Sequence, residues 1–194
     1  MRFEYAEGAT PLDPDAIAGL IPTLALQAEL NVFEAENISK AVQWAKRTRG
    51  IDRDILQGTS LRKLHQRMFS LTWEWAGQFR RVQTNIGVSA EQIPMRLEQL
   101  CGNVRYQIDN NVFPWEELAV RFHHELVLIH SFPNGNGRHA RLATDLLLER
   151  NGQPRFTWGS SSLTESTEVR REYIDALREA DQGNIERLLR FVRL

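Results

Sequence analysis

Apolar residues recur at steps of three and four along most of the chain, which is the spacing of one face of an α-helix. One such stripe runs from about residue 23 to residue 50, and a second runs from Leu61 to Trp75 and ends at Gly77. A capping-box sequence at residues 89–92 precedes a third stripe, and Pro114 suits the first position of a fourth helix. Further helices are expected after residue 137, after a second capping-box sequence at residues 162–165, and over residues 185–192.

Two segments break this helical pattern. Residues 1–22 contain several prolines, each of which holds the preceding residue away from helical geometry, so we expect an extended arm. Val82, Thr84 and Ile86 place β-branched residues at every second position, which predicts a small β-hairpin over residues 79–86. A lone hairpin is not stable by itself, so it should lie on the helices with an edge free to pair with a peptide. The predicted fold is an all-α bundle with a small β-hairpin flap.

The composition is that of an ordinary globular protein, with 194 residues, 42% hydrophobic and 25% charged. A formal net charge of -1 disfavours a general nucleic-acid binder, because such proteins carry a strong positive balance. Cys101 is the only cysteine, so no internal disulfide can form and a reducing compartment is expected. No stretch approaches the ~18 consecutive apolar residues of a membrane helix. We therefore expect a cytoplasmic protein that does not enter a membrane.

The residue types best suited to chemistry lie together between two predicted helices, in the stretch from His130 to Arg141. Glycines ahead of a helix start leave backbone N–H groups free to bind an anion. Arginines on the following turn add forked, charge-assisted hydrogen bonds to phosphate oxygens. A histidine just before these groups is suited to accept a proton from a nucleophile. Together they indicate a phosphate-handling site.

This stretch resembles the signature of the Fic/Doc family, His-x-Phe-x-acid-Gly-Asn-Gly-Arg-x-x-Arg. The matching positions are His130, Phe132, Gly135, Asn136, Gly137, Arg138 and Arg141. The run from Ala76 to Arg80, followed by Val82–Ile86, resembles the family's substrate-positioning flap, and the Trp73–Arg80 run is similar to small bacterial members called mobile mystery protein B. The resemblance divides the chain into an N-terminal arm and helix (residues 1–54) and a Fic domain (residues 55–194).

The resemblance implies transfer of AMP, or another nucleotide monophosphate, from ATP or a related NTP to a Ser, Thr or Tyr hydroxyl of a target protein. It identifies a protein adenylyltransferase in which His130 is the general base, with Asn136 and Arg138 also assigned to catalysis. The flap residues Val82, Gln83, Thr84, Asn85 and Ile86 would pair with the target segment. The nucleotide would be held by Asn134, Gly135, Asn136, Gly137, Arg138 and Arg141.

Asn134 departs from the signature, because it occupies the position of the acid that would hold Mg²⁺ or Mn²⁺. An amide oxygen can bind a hard cation but brings no charge, and Mg²⁺ also relies on the nucleotide's phosphates. We therefore expect weakened metal binding rather than none. Three functions stay open: an adenylyltransferase, favoured by the retained Gly135-Asn136-Gly137 sequence, a Doc-like protein kinase, and a catalytically weak nucleotide- or protein-binding module.

Members of the family are often restrained by a helix with the sequence Ser/Thr-x-x-x-Glu-Gly/Asn, whose glutamate pairs with the second signature arginine. Residues 32–37 resemble it but have Val32 at the hydroxyl position, which leaves Glu34 and Glu36 as candidate inhibitory residues. The alternative is that these glutamates belong to a solvated helix face. A partner antitoxin or self-association is left open by the sequence, and direct nucleic-acid binding is not expected.

Overall fold

A computed structural model describes residues 11–47, 54–159 and 167–194. These residues form short and long α-helices, and the all-α prediction is confirmed. A 3₁₀ turn at Ala90–Gln92 precedes the fourth helix. In chain order the helices are α1 (Pro14–Ala18), α2 (Gln27–Arg47), α3 (Gly58–Phe69), α4 (Ile93–Asp109), α5 (Trp115–Ile129), α6 (Asn136–Arg150), α7 (Thr167–Asp181) and α8 (Glu186–Phe191).

The core lies around α5 and α6, which pack closely against each other, with α3 and α4 beside them and α2 on the outer side of α3. A second, smaller cluster joins α7 and α8 to the far side of α5 and α6. Side chains such as Met68, Phe122 and Ile129 are fully buried between these helices. This packing fixes the end of α5 and the start of α6, and therefore the loop between them.

The predicted extended arm is wrong over residues 14–18, which form α1. Pro14 occupies the first turn, where no N–H is needed, and the Asp13 side chain accepts a hydrogen bond from the Ala16 N–H at 3.0 Å. The next residues attach to the end of α3, because the Ile21 N–H donates to the Thr72 carbonyl at 2.9 Å. Residues 1–10 lie outside the described part of the chain.

The predicted β-hairpin is also wrong, because residues 79–86 form no strand within the described part of the chain. Their carbonyl groups bind side chains instead: the Arg80 guanidinium donates to the Val82 carbonyl, and the Thr84 hydroxyl donates to the Ile86 carbonyl. Alternating β-branched residues favour an extended backbone, but a sheet also needs a partner strand. The flap is therefore an irregular loop.

One helix start differs from the capping-box prediction. Ser89 makes no side-chain capping bond, and α4 begins only after the 3₁₀ turn. The second capping box, at residues 162–165, lies outside the described residues. Leu30 and Ala41 of α2 belong to the same core as α3, and the domain boundary at residue 54 stays a prediction. No helix in the described ranges has the length and apolar character needed to cross a membrane.

Candidate functional site

His130 forms the turn that ends α5. Its backbone is left-handed, with φ 52° and ψ 60°, a conformation that costs a non-glycine residue free energy and is common at functional sites. The residue is only 6% exposed, and neither ring nitrogen, Nδ1 or Nε2, has a hydrogen-bond partner among the described residues. Burial and the positive charge of Arg80 lower the pKa of His130 to about 4, against a smaller opposing effect of the Val127 backbone. The imidazole is therefore neutral and has a free nitrogen.

Gly135 joins the loop to α6 and is required there. It has φ 78°, and a Cβ atom at this position would lie 2.5 Å from the ring of Phe69. Because glycine has no side chain to cap α6, the first N–H groups of the helix are left for another acceptor. At Gly137, in contrast, the nearest atom to an added Cβ would be the Tyr173 hydroxyl at 3.7 Å, an ordinary contact. The first N–H groups of α6 are thus available to an anion.

Asn136 does not have the expected position of a phosphate donor. Its Oδ1 atom accepts from the Phe132 N–H at 2.9 Å, and its Nδ2 atom donates to the Phe132 carbonyl at 2.7 Å. Both ends of the amide are therefore used to hold the loop. Phe132 packs in turn on the His65 ring, with 3.7 Å between the ring centroids, and this contact also helps to fix the loop.

The two signature arginines reach different neighbours. The Arg138 Nη1 atom donates to Glu34 Oε2 at 2.6 Å, whereas the Arg141 guanidinium lies over the Tyr173 ring at 5.5 Å from its centroid. Burial lowers the pKa of Arg141, and the nearby positive charge of Arg138 adds to this effect, while Tyr173 opposes it. Two cations near the N-terminus of a helix repel each other, and a bound anion would reduce this repulsion.

The flap lies beside His130. Val82 and Ile86 are 44% and 43% exposed, so their apolar side chains face solvent. The end of the same loop touches the turn, because a Cβ atom added at Gly87 would lie 2.7 Å from the Cβ atom of His130. The structure therefore places the histidine, the start of α6, the arginines and the flap in one region, and their roles stay a prediction.

Residues 56–148 match the Fic/DOC family, and this range contains the flap, the signature loop and most of α6. Slightly less than half of the chain, 93 of its 194 residues, therefore has the sequence of a Fic domain. Protein adenylyltransferase fic-1 of Caenorhabditis briggsae is 33% identical over 120 residues, which are 60% of this chain and 22% of that protein. This chain thus spans about a fifth of the length of the curated relatives it matches.

Solved structures share the fold. Fic-1 from Caenorhabditis elegans superimposes with a TM-score of 0.68 at 24% identity, over 91% of this chain and 51% of that one. BepC from Bartonella tribocorum, solved with bound AMPPNP, gives a TM-score of 0.67 at 20% identity, over 87% of each chain. The Fic fold therefore extends beyond the matched segment to most of this chain.

Glu34 and Glu36, the two candidate inhibitory residues, have opposite surroundings. Glu34 is 3% exposed and, besides Arg138, accepts a hydrogen bond from Trp73 Nε1 at 2.7 Å. Glu36 is exposed and pairs with Lys40 on the outer face of α2, so it does not reach the Fic site. The apolar stripe of α2 could have distinguished the two glutamates in the sequence. Glu34 lies four residues after Leu30 and so falls on the buried face of the helix, whereas Glu36 falls outside that face.

Sequence reasoning did not include two other residues of the site. Tyr173 on α7 holds Arg141, and its hydroxyl is 2.9 Å from Nε2 of His123. His65 on α3 accepts a hydrogen bond from the Gly77 N–H at Nδ1 and bonds the Asn134 carbonyl at Nε2. Burial keeps the pKa of His65 well below its ordinary range, so the neutral ring fixes the signature loop. No sequence signal linked Tyr173 to Arg141.

The residues around Asn134 do not form a metal site of their own. The Asn134 Oδ1 atom already accepts from the Gly135 N–H at 2.6 Å. No group of three or more His, Cys, Asp and Glu residues within the described ranges could hold a metal ion. A neutral amide oxygen that is already bonded is a poor replacement for a carboxylate, so Asn134 offers weak support to Mg²⁺ at most.

Proposed function

We propose that this Fic domain transfers AMP from ATP to a Ser, Thr or Tyr hydroxyl of a target protein. The observation that supports this most directly is the free Nε2 atom of His130, buried beside the uncapped start of α6. A turn that only connects two helices needs neither a buried histidine nitrogen without a partner nor two neighbouring arginines. The names of the matched relatives, which are protein adenylyltransferases, support the same activity.

In the proposed reaction the target hydroxyl oxygen forms a bond to the α-phosphorus, the bond to the bridging oxygen breaks, and pyrophosphate leaves. His130 Nε2 accepts the hydroxyl proton, a contribution worth about 10²–10⁴-fold in rate. The start of α6, Arg138 and Arg141 stabilise the phosphate charge. A bound triphosphate also brings negative charge near His130, which favours the protonated product of this step.

The exposed flap is the proposed docking position for the target. Its apolar side chains Val82 and Ile86 face solvent, and the adjoining Gly87 contacts His130. A target segment lying along the flap would present its hydroxyl to the imidazole, which lowers the entropic barrier to in-line attack. Mg²⁺ or Mn²⁺ would be carried mainly by the phosphates of ATP, since Asn134 provides no charge.

We further infer that the structure represents a state in which ATP binding is restrained, because the Glu34 carboxylate is bonded to Arg138, one of the two arginines proposed to hold phosphate. The pair joins α2 to α6 across 104 residues of sequence, with an Nη1–Oε2 distance of 2.6 Å. The expected partner was the second signature arginine, and the observed partner is the first. ATP phosphates and the Glu34 carboxylate would compete for the same guanidinium.

The experiment is a transfer assay with ATP labelled at either the α- or the γ-phosphate, in a cell lysate with Mg²⁺ or Mn²⁺. Transfer of α-label by the wild-type or the Glu34→Gln protein is expected. Transfer of γ-label alone would show a kinase, and no transfer by either protein would show a binding module. His130→Ala should abolish transfer but retain ATP binding. His124→Gln is the matched control, because His124 bonds Asp181 instead of facing the site.

A further inference from the structure

Arg80 lies between the flap and the signature loop and is only 2% exposed. Its guanidinium donates three hydrogen bonds to backbone carbonyls: Nε to His130 at 2.7 Å, Nη1 to Val82 at 2.9 Å, and Nη2 to Val88. Its own backbone N–H donates to the Ser131 carbonyl at 3.0 Å. One side chain therefore binds both ends of the loop 82–88 and the histidine of the site.

This arrangement is unusual for a buried cation. No ion pair to Arg80 is present in the described part of the chain, although the charge of Glu91 acts favourably on it from a distance. A buried charge without a paired carboxylate is costly unless its hydrogen bonds are satisfied in other ways. The three carbonyl groups point at the guanidinium from three backbone segments, and only the planar fork of arginine can reach all of them.

The backbone at Gly87 is a second observation of the close contact between the loop, Arg80 and His130. Its φ is +105°, and an added Cβ atom would lie 2.7 Å from Arg80 Nη2 and 2.7 Å from the Cβ atom of His130. The loop thus approaches both residues so closely that no side chain fits between them. The position of the loop and the position of the imidazole are linked through Arg80.

We propose that Arg80 is a positioning residue that holds the target-docking loop, residues 82–88, at a fixed distance from His130. The inference rests on the proposed transferase function for its consequence, and on the contacts of Arg80 for its geometry. Without the clamp, a docked hydroxyl and the imidazole would move independently. A misplacement of about 1 Å can reduce the rate of a positioned reaction by about 10²-fold.

The test compares Arg80→Lys with Arg81→Lys, a matched control because Arg81 is the exposed neighbour. The first readout is transfer of α-label from ATP to lysate protein. We expect Arg80→Lys to lower the maximal rate about 10²-fold while the KM for ATP changes less than about twofold. Arg81→Lys should leave both values unchanged. A maximal rate for Arg80→Lys within about twofold of the wild-type value would overturn the proposal.

The second readout is independent of activity. A nitroxide attached to Asn85→Cys reports loop mobility, and the native Cys101 is buried, which directs labelling to the new cysteine. Arg80→Lys should sharpen the spectrum, whereas Arg81→Lys should not. An unchanged spectrum overturns the clamp even if the wild-type protein transfers nothing, whereas sharpening without any α-label transfer refutes only the proposed function.

Gly87→Ala keeps Arg80 and is the second variant if Arg80→Lys does not fold. The added methyl group would force Arg80 Nη2 and the His130 turn apart. We expect the same fall in maximal rate with an unchanged KM for ATP. Wild-type kinetics in a folded Gly87→Ala protein would contradict the proposed link between the loop and His130.

Discussion

Glu34→Gln is expected to increase the affinity for ATP, because it removes the charge that holds Arg138 while preserving shape. The Glu34 side chain is 4% exposed and that of Arg138 is 30% exposed, so the pair is partly protected from solvent. Both partners of this hydrogen bond are charged, a pairing worth about 1.5–3 kcal/mol, and the glutamine variant keeps only the charge of Arg138, which reduces that contribution by about 1–2 kcal/mol. The difference of about 1–2 kcal/mol corresponds to an approximately 5- to 30-fold lower dissociation constant for ATP. The glutamine oxygen can still accept from Trp73 Nε1, so α2 should stay docked.

The measurement is titration of each variant with ATP by isothermal calorimetry at constant ionic strength. Glu36→Gln is the matched control, because it removes the same charge from the same helix at a position that faces Lys40. It should change ATP affinity by less than about twofold, since exposed charges are screened. Equal changes in ATP affinity from the two substitutions would refute the competition between Glu34 and ATP for Arg138, because they would show only an effect of net charge.

Two further predictions concern the metal and the buried histidines. Asn134→Asp should lower the Mg²⁺ concentration needed for half-maximal α-label transfer by several-fold, because it adds a carboxylate ligand, and an unchanged Mg²⁺ titration would argue against a metal role for this position. The pKa of His130 and that of His139 lie near 4, below the ordinary value of 6.5. Between these pH values the unfolded chain binds protons that the folded protein does not, so the free energy of unfolding should fall as the pH is lowered from about 6.5 to 4, by up to about 1.4 kcal/mol per pH unit for each histidine. Urea unfolding at pH 7 and pH 5 measures this, and equal or greater stability at pH 5 would contradict it.

The signature loop could be predicted from the sequence because its chemistry is contiguous. A histidine, two glycines and two arginines within twelve positions limit the possible geometry, and the flanking apolar stripes place them between helices. Glycine at residue 135 also permits the left-handed backbone that is observed there. The structure of such a segment can be predicted from its own residues, because its contacts are mostly local.

The contacts that define the state of the site are long-range, and the sequence did not predict them in detail. Glu34 and Arg138 are separated by 104 residues, and Tyr173 lies on a helix whose apolar spacing indicated only core packing. The prediction of a β-hairpin at the flap was wrong for a different reason. Its β-branched alternation predicted strands, but the side chain of Arg80 took the carbonyl groups of Val82 and Val88.

The position of Glu34 links the docking of α2 to the state of the site. A carboxylate on the buried face of a helix is tolerated only with a partner, and Trp73 and Arg138 are the partners observed here. If ATP phosphates bound Arg138, the Glu34 carboxylate would keep only the hydrogen bond from the neutral Trp73 indole, and the docked position of α2 would lose part of its stabilisation. Coupling between two binding equilibria is reciprocal, so under the proposed competition docking of α2 would weaken ATP binding by the same factor. On the proposed function, the helix that adds Leu30 and Ala41 to the core would therefore also oppose nucleotide binding at the start of α6.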